Sequence, residues 1–186
     1  MKIKSFLFLM TAFCVCFNGA CFAEEGKTPA DAKKILVAYY SYSGNTKEVA
    51  KAIAEKVGGD LFEIRAEGKY PEDYHAMTAQ AKKEITDGYR PKLKRTVKNI
   101  DSYDVIFLGS PNWWGTITPQ VSSFLQQYDL KGKKIVPFIT HGSGGVQNTV
   151  KDMTKQCEKC NVVKDAWVGY GDRTLGLSAW LEKAGF

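Results

Sequence analysis

The stretch ILVAYYSYSGNT, residues 35–46, decides the fold. Residues 35–40 form a continuous apolar run rich in β-branched and aromatic side chains, which is typical of a strand buried on both faces of a parallel sheet. Residues 41–46 are turn-forming, and apolar residues then recur at helical spacing over 47–57 until a pair of glycines ends the pattern. The stretch therefore predicts a buried strand that leads through a polar turn into a helix.

The same alternation continues to the C-terminus. Further strands are predicted over residues 61–65, 105–108, 134–140 and 162–168, and further helices over 73–87, 119–128, 146–156 and 175–183. Strands that alternate with helices form a parallel sheet covered on both faces through right-handed crossovers. The chain is therefore predicted to be a three-layer α/β/α sandwich with a five-stranded parallel sheet. The pattern alone does not give the strand order.

Residues 1–23 have the pattern of a secretory signal peptide. Two lysines precede an almost purely apolar run over residues 5–17, and the small residues Cys21 and Ala23 fit cleavage after Ala23. The apolar run is shorter than the roughly 20 residues that a membrane-spanning helix needs. We therefore expect no transmembrane segment after cleavage.

This leader predicts an exported protein, either periplasmic or secreted. Residues 24–33 are interpreted as a linker and residues 34–186 as one domain of ordinary size. The alternative is a lipoprotein anchored through Cys21. Cleavage after Ala23 would remove two of the 26 basic residues and none of the 20 acidic ones, which leaves a net charge of +4.

Cleavage would also leave Cys157 and Cys160 as the only cysteines. They lie near the end of a predicted helix, where the helix dipole disfavours a thiolate, and we predict a structural or inert pair. An oxidising compartment favours a disulfide between them, and a redox-active role is the alternative. Because His75 and His141 are the only histidines, no metal site is expected. The basic residues over 90–98 are interpreted as a solvated loop, so no nucleic-acid partner is expected.

The polar turn of residues 41–46 joins the first strand to the N-terminus of the first helix. Backbone N–H groups and the helix dipole favour an anion there, hydroxyl and amide side chains add donors, and the glycine allows close approach of the backbone. The sequence carries neither a Walker A nor a dinucleotide glycine pattern. The alternative is a Ser/Thr-rich helix cap without a ligand. The candidate cofactor-binding residues are Ser41, Tyr42, Ser43, Gly44, Asn45 and Thr46.

Two further loops follow the strands predicted over 105–108 and 134–140. The first carries two adjacent tryptophans in a turn, where neighbours point in different directions, so at least one is expected to be exposed and to suit a flat conjugated ring. The second is glycine-rich and offers free N–H groups, and its histidine is either a flavin contact or a structural loop residue. Their candidate cofactor-binding residues are Pro111, Asn112, Trp113, Trp114, Gly115, Thr140, His141, Gly142, Ser143, Gly144 and Gly145.

In this order, the segments SYSGNT, GSPNWWG and THGSGG resemble the flavodoxin family, in particular its shorter-chain flavodoxin-like branch. The resemblance extends from about residue 33 to the C-terminus, and YPEDY at 70–74 is also similar to that branch. It implies the strand order 2-1-3-4-5, which brings the three loops to one edge of the sheet. It also implies FMN as the cofactor. The first loop would hold the phosphate, residues 111–115 would contact one side of the isoalloxazine ring, and residues 141–145 another.

The resemblance implies a redox protein that transfers electrons through bound FMN to a protein, quinone or flavin partner. The flavin would carry the chemistry, so no protein residue is assigned a catalytic role. An electron carrier and a quinone or flavin reductase both stay open, with a nicotinamide compound as a further possible donor. Electron-carrying flavodoxins are acidic, whereas this chain is basic. The alternatives are a non-catalytic module that binds FMN or another phospho-ligand, and an interaction domain without a cofactor.

Overall fold

Six parallel strands form one sheet in the computed structural model, which describes residues 33–186. The strands are β1 (Ile35–Tyr39), β2 (Asp60–Glu63), β3 (Val105–Pro111), β4 (Lys134–His141), β5 (Asn161–Val162) and β6 (Trp167–Tyr170). Their order is β2-β1-β3-β4-β5, and β6 also pairs with β4. The predicted order 2-1-3-4-5 is confirmed.

Five α-helices in the described residues cover the sheet. They are α1 (Asn45–Val57), α2 (Tyr74–Thr86), α3 (Pro119–Gln127), α4 (Thr149–Gln156) and α5 (Leu177–Lys183). Helices α1 and α5 pack on one face of the sheet and α3 and α4 on the other, while α2 packs against α3. The three-layer α/β/α architecture is therefore confirmed. No helix within residues 33–186 is long and apolar enough to cross a membrane.

Strand β1 shows why the apolar run had to be continuous. Leu36 and Ala38 belong to the core on the α3 and α4 face, whereas Val37 and Tyr39 belong to the core on the α1 and α5 face. Because successive side chains of a strand point to opposite faces, a sheet covered on both faces needs apolar residues at every position.

The sheet has the five predicted parallel strands plus a sixth, because the last predicted strand is divided. The single strand predicted over 162–168 is two short strands, of which β5 pairs with the beginning of β4 and β6 with its end. Asp165 lies between them and contacts α5 instead of the sheet. Its carbonyl accepts a hydrogen bond from Trp180 Nε1 at 3.0 Å and its carboxylate one from Lys183 Nζ at 2.7 Å. The segment around Asp165 therefore contacts α5 and does not pair with β4, which separates β5 from β6.

Several predicted boundaries also shift. Strand β3 extends to Pro111, beyond the predicted end at residue 108. Helix α4 begins at Thr149 because Gln147 has a φ of 41°, and α5 begins at Leu177 because Gly176 has a φ of 72°. The predicted signal peptide over 1–23 and nearly all of the predicted linker over 24–33 lie outside the described residues and stay predictions.

Candidate functional site

The three predicted loops meet at the carboxyl ends of β1, β3 and β4. Thr46 Oγ1, at the beginning of α1, lies 2.8 Å from Oγ1 of Thr140 on β4. Asn112, after β3, donates a backbone hydrogen bond to the Thr140 carbonyl at 2.8 Å, and its side-chain amide donates one to the Gly145 carbonyl at 2.7 Å. Direct hydrogen bonds therefore join all three loops.

The first loop presents the N-terminus of α1. Gly44 has a φ of 95°, in the left-handed region, and its N–H donates to Ser41 Oγ at 3.1 Å. The helix begins at Asn45, so the amides of its first turn have no acceptor within the helix. An anion placed here would meet N–H donors and the positive end of the helix dipole. Ser43 is exposed next to this helix end.

Thr46 has a different environment from its neighbours in the loop. Its side chain is buried, and its hydroxyl already has the Thr140 hydroxyl as a partner. It therefore fixes the position of the loop relative to β4. Whether its hydroxyl also contacts a bound phosphate stays a prediction, as does the ligand contact of every other candidate residue.

The second loop is a tight two-residue turn around Trp114 and Gly115. Trp113 and Thr116 exchange backbone hydrogen bonds of 3.0 and 3.1 Å, and the two residues between them have φ values of 52° and 85°. This turn type requires a positive φ at both central positions, which favours glycine. A Cβ atom at Gly115 would also lie 2.8 Å from Gln147 Oε1. The turn thus requires a glycine at position 115.

The two tryptophans point in different directions, as the sequence predicted. Trp113 is partly buried, and its ring makes edge contacts with Tyr40, Tyr42 and Tyr70 at centroid distances of 5.8, 5.9 and 5.1 Å. Trp114 is 56% exposed.

Helix α2 holds the exposed indole of Trp114. Its Nε1 donates to the Thr78 carbonyl at 3.0 Å, and Lys82 Nζ lies 4.7 Å from the ring centroid. A pocket of about 270 Å³ is lined by residues of α2 and by the two tryptophans. Trp113 is thus a packing residue as well as a candidate ring contact, whereas Trp114 lies at the surface.

The third loop is held against the second one. Besides the contact between Asn112 and Gly145, the N–H of Asn148 donates to the Gly115 carbonyl at 2.9 Å. Gly142 and Ser143 lie exposed at the tip. A Cβ at Gly144 would lie 3.3 Å from Asn112 Nδ2, which leaves little space for a side chain. The loop therefore presents backbone groups close to the residues of the second loop.

His141 ends β4 beside a strand that sequence reasoning did not include in the site. Its ring makes an edge contact with Tyr170 of β6 at 5.9 Å, and its carbonyl accepts from the Gly171 N–H at 3.0 Å. Its Nδ1 is buried and has no hydrogen-bond partner among residues 33–186. The sequence carried no signal for Tyr170, because the pairing of β6 with β4 is a tertiary feature.

Sequence reasoning also missed a cleft of about 800 Å³ beside the first loop. It lies between the segment after β2, helix α2 and the N-terminus of α3, and Tyr40 and Tyr70 line it. Burial raises the pKa of both phenols, and in Tyr70 the hydrogen bond to Glu84 raises it further. Both side chains are therefore neutral hydrogen-bonding groups at physiological pH.

Comparison with known proteins places this arrangement in a family. A flavodoxin family model matches residues 34–184. The chain belongs to the flavodoxin family. The resemblance found in the sequence is thereby confirmed over nearly all of the described residues.

Two solved structures have the same fold over most of the chain. A candidate flavoprotein of Bacteroides eggerthii is 32% identical, with a TM-score of 0.72, and the match covers 82% of this chain and 98% of that one. A flavoprotein of Lactobacillus acidophilus, solved in complex with FMN, is 25% identical, with a TM-score of 0.67, and the match covers 81% and 99% of the two chains.

Among curated proteins, a relative from Cupriavidus metallidurans named NAD(P)H dehydrogenase (quinone) is 33% identical over 96 residues. The match covers 50% of this chain and 46% of that protein, so this flavodoxin spans about half the length of the curated relative that it matches.

Proposed function

We propose that this flavodoxin is an exported oxidoreductase that transfers electrons through bound FMN to a quinone, protein or flavin partner. The single observation that carries the proposal is the hydrogen-bonded junction of the three loops at one sheet edge. It brings a helix N-terminus, a tryptophan turn and a glycine-rich loop together at this edge. Doubly wound sheets bind their ligands at such an edge, beside the point where the strand order reverses.

The cofactor is FMN, on the basis of family membership and of the FMN complex of the Lactobacillus relative. The residues present fit this group. The first turn of α1 offers backbone donors for a phosphate, with Ser41 and Ser43 nearby. Residues 111–115 and 141–145 would contact the ring system. Among these residues, His141 has a buried Nδ1 without a hydrogen-bond partner in residues 33–186. When bound, FMN supplies the electron-transfer chemistry.

The role of the protein's own residues is to bind and orient the cofactor. The pair of Asn112 and Gly145 fixes the second loop against the third, and the pair of Thr46 and Thr140 fixes the first loop against β4. A flat ring held between fixed loops needs no rearrangement of the protein to bind, which lowers the entropic cost of binding. No side chain of the site is assigned a covalent or acid–base role.

A quinone or a protein is the favoured electron acceptor. The curated relatives named NAD(P)H dehydrogenase (quinone) support a two-substrate flavin reductase. Outside the cytoplasm a soluble nicotinamide donor is scarcer, so a protein donor is the alternative to NAD(P)H. A simple electron carrier is the second candidate, and the basic net charge of the mature chain would then suit an acidic partner.

Export is supported by the leader pattern and by one structural feature. Cys157 and Cys160 form a disulfide bond, a linkage that persists in oxidising compartments and is rare in the cytosol. Intact-mass measurement of the native protein tests the proposal, and we expect a chain that begins at Glu24. A lipid mass on Cys21 would support the lipoprotein alternative, and an intact Met1 with a cytoplasmic location would contradict export.

Titration of the purified mature protein with FMN, FAD and riboflavin tests the cofactor assignment, and anaerobic reduction tests the activity. We expect FMN to bind tightest, and the bound flavin to be reduced by NAD(P)H or a protein donor and reoxidised by a quinone. Equal affinity for riboflavin would contradict the phosphate site. A bound flavin that no donor reduces would support the non-catalytic binding module instead.

A further inference from the structure

The cleft of about 800 Å³ shares only Ser41 and Tyr42 with the three loops that are proposed to hold the flavin, which are called the flavin loops below. It is bounded by the segment that follows β2, by α2 and by the first turn of α3. Its volume lies in the range of cavities that hold small organic ligands. Tyr40, Tyr42 and Tyr70 line it, and all three rings also contact Trp113 of the second loop. An aromatic wall therefore connects this cleft to the flavin loops.

Two of these three tyrosines have their hydroxyls engaged. Tyr42 donates to the Pro71 carbonyl at 2.9 Å. Tyr70 donates to the Glu84 carboxylate and accepts a hydrogen bond from Gln120 Nε2 at 3.1 Å. These bonds fix the orientation of both rings, so the shape of the wall is set without a ligand.

Tyr40 is the exception. Its side chain is 9% exposed and its ring belongs to the core on the α3 and α4 face. None of the hydrogen bonds among residues 33–186 involves its hydroxyl, although it lines the cleft. The hydroxyl oxygen is not one of the buried polar atoms that lack a partner in residues 33–186, so it is open to the cleft. It can therefore donate a hydrogen bond to a ligand that carries an acceptor.

The charges around the cleft favour a neutral ligand. Four acidic and three basic side chains line it. Glu63 is paired with Arg65 at 2.6 Å, and Glu67 with Lys92 at 2.7 Å. The acidic and basic groups thus nearly cancel, and no cluster of one sign is available to hold a phosphate chain or a polycation.

We propose that this cleft binds a neutral, planar carbonyl compound of the quinone class, with the Tyr40 hydroxyl donating a hydrogen bond to a carbonyl oxygen. A quinone combines a flat ring, which suits the tyrosine wall, with uncharged acceptors, which suit the free hydroxyl. That the ligand serves as the electron acceptor rests on the proposed function, whereas its binding to the cleft does not.

Binding of duroquinone to the oxidised, FMN-loaded protein tests the site, because no electrons are then available for reduction. Saturation-transfer NMR of its methyl groups gives the Kd. Tyr40→Phe removes only the hydroxyl and is expected to raise the Kd about 3- to 10-fold, the value of one hydrogen bond. Tyr89→Phe is the matched control, since Tyr89 lines the same cleft but is half exposed, and we expect its Kd to equal that of the wild type.

Three results would overturn the proposal. These are an unchanged Kd in Tyr40→Phe, an equal loss in Tyr89→Phe, and duroquinone binding to the apoprotein that is lost once FMN is loaded, which would make the cleft part of the flavin site. Thermal unfolding of each variant checks that the fold is intact. Tight duroquinone binding without any quinone turnover would contradict the proposed function and leave the cleft site standing. Turnover whose KM for quinone is unaffected by Tyr40→Phe would show that the quinone is reduced elsewhere, and would overturn only the role of the cleft as the acceptor site.

Discussion

The hydroxyls of Thr46 and Thr140 lie 2.8 Å apart, and both side chains are buried. One belongs to the first turn of α1 and the other to β4, which is separated from β1 by β3. This one contact therefore fixes the distance between the loop proposed to hold a phosphate and the loop proposed to contact a ring. A site built from separate loops depends on such cross-links for its precision.

Replacing either threonine by valine is expected to destabilise the protein by about 1–3 kcal/mol, because the remaining hydroxyl is left buried without a partner. Thr46→Val with Thr140→Val together should cost less than the sum of the two single changes, since both polar groups are then gone. Urea unfolding of the wild type, the two single variants and the double variant gives the coupling energy between the two hydroxyls. Strictly additive effects would contradict a buried mutual hydrogen bond.

Ser43→Asp is expected to abolish FMN binding while leaving riboflavin binding and the fold unchanged. The new carboxylate would stand at the exposed end of α1 and repel a phosphate, and riboflavin carries none. Flavin titrations measure both affinities. Ser178→Asp, on the exposed surface of α5, is the matched control and should leave both unchanged. If Ser43→Asp weakened riboflavin as much as FMN, the loop would not be a phosphate site.

The sequence predicted what local chemistry determines and missed what distant contacts determine. The run from Ile35 to Tyr40, followed by a polar turn, needs no tertiary information to indicate a buried strand before an anion-binding helix end. The split of the last strand does need it, because Trp180 and Lys183 of α5 bind Asp165 and end the ladder there. The strand order came from the family resemblance rather than from periodicity.

The residues of the site also divide into those that local sequence patterns predict and those that only distant contacts bring together. The three loops were found because each carries its own turn and glycine pattern. The cleft and the Tyr40 hydroxyl that is open to it were not found, since the sequence pattern makes Tyr40 one more apolar residue of a strand. Only the fold brings Tyr70 and Gln120 beside it.

Trp113→Ala and Trp114→Ala are expected to separate packing from cofactor contact. Trp113 is packed among three tyrosines, so its loss should cost about 3 kcal/mol, whereas loss of the exposed Trp114 should cost about 1 kcal/mol or less. Chemical unfolding measures the difference. Equal losses of stability would contradict the packing role of Trp113.

The same two variants identify the indole that stacks on the flavin. An electron-rich ring over the isoalloxazine disfavours added negative charge, so removing the stacked indole should raise the reduction potential of the flavin and weaken FMN binding. Anaerobic redox titration of both variants measures the change. If neither variant changed the potential, ring stacking by this turn would be wrong.

The stability of the protein is expected to fall between pH 10 and pH 12, with Tyr39 as one cause. Burial, with a smaller contribution from the nearby Glu63 carboxylate, raises the pKa of Tyr39 from 10.0 to about 12. Above pH 10 the unfolded chain loses this proton while the folded protein keeps it, so the contribution of Tyr39 is full below pH 10 and is lost as pH rises towards 12. Tyr39→Phe should therefore flatten the decline.

Tyr39 is the best residue for this test because none of the hydrogen bonds among residues 33–186 involves its hydroxyl, so the phenylalanine variant should match the wild type near pH 7. Tyr103→Phe is less suitable, since the Tyr103 hydroxyl donates to Asp60 at 2.7 Å and the loss of this hydrogen bond would lower stability at every pH. Urea unfolding at pH 7, 9, 10 and 11 measures the curve. A Tyr39→Phe curve parallel to that of the wild type would contradict the assignment.

Reduction of the disulfide between Cys157 and Cys160 is expected to lower stability without changing flavin chemistry. The pair lies at the C-terminal end of α4, and the third loop precedes the N-terminal end of the same helix, so the length of the helix separates the sulfurs from the site. Cys157 is buried in the core, and Cys160 Sγ lies 3.4 Å from the Leu130 carbonyl.

Closing the short loop between the two cysteines contributes about 2 kcal/mol to stability in the chain-entropy model. Cys157→Ser with Cys160→Ser should therefore unfold at lower urea and keep the wild-type FMN affinity, reduction potential and turnover. Dithiothreitol treatment of the wild type should have the same effect, and it controls for the serine hydroxyls. Loss of turnover in a folded, FMN-loaded variant would show instead that the pair takes part in electron transfer.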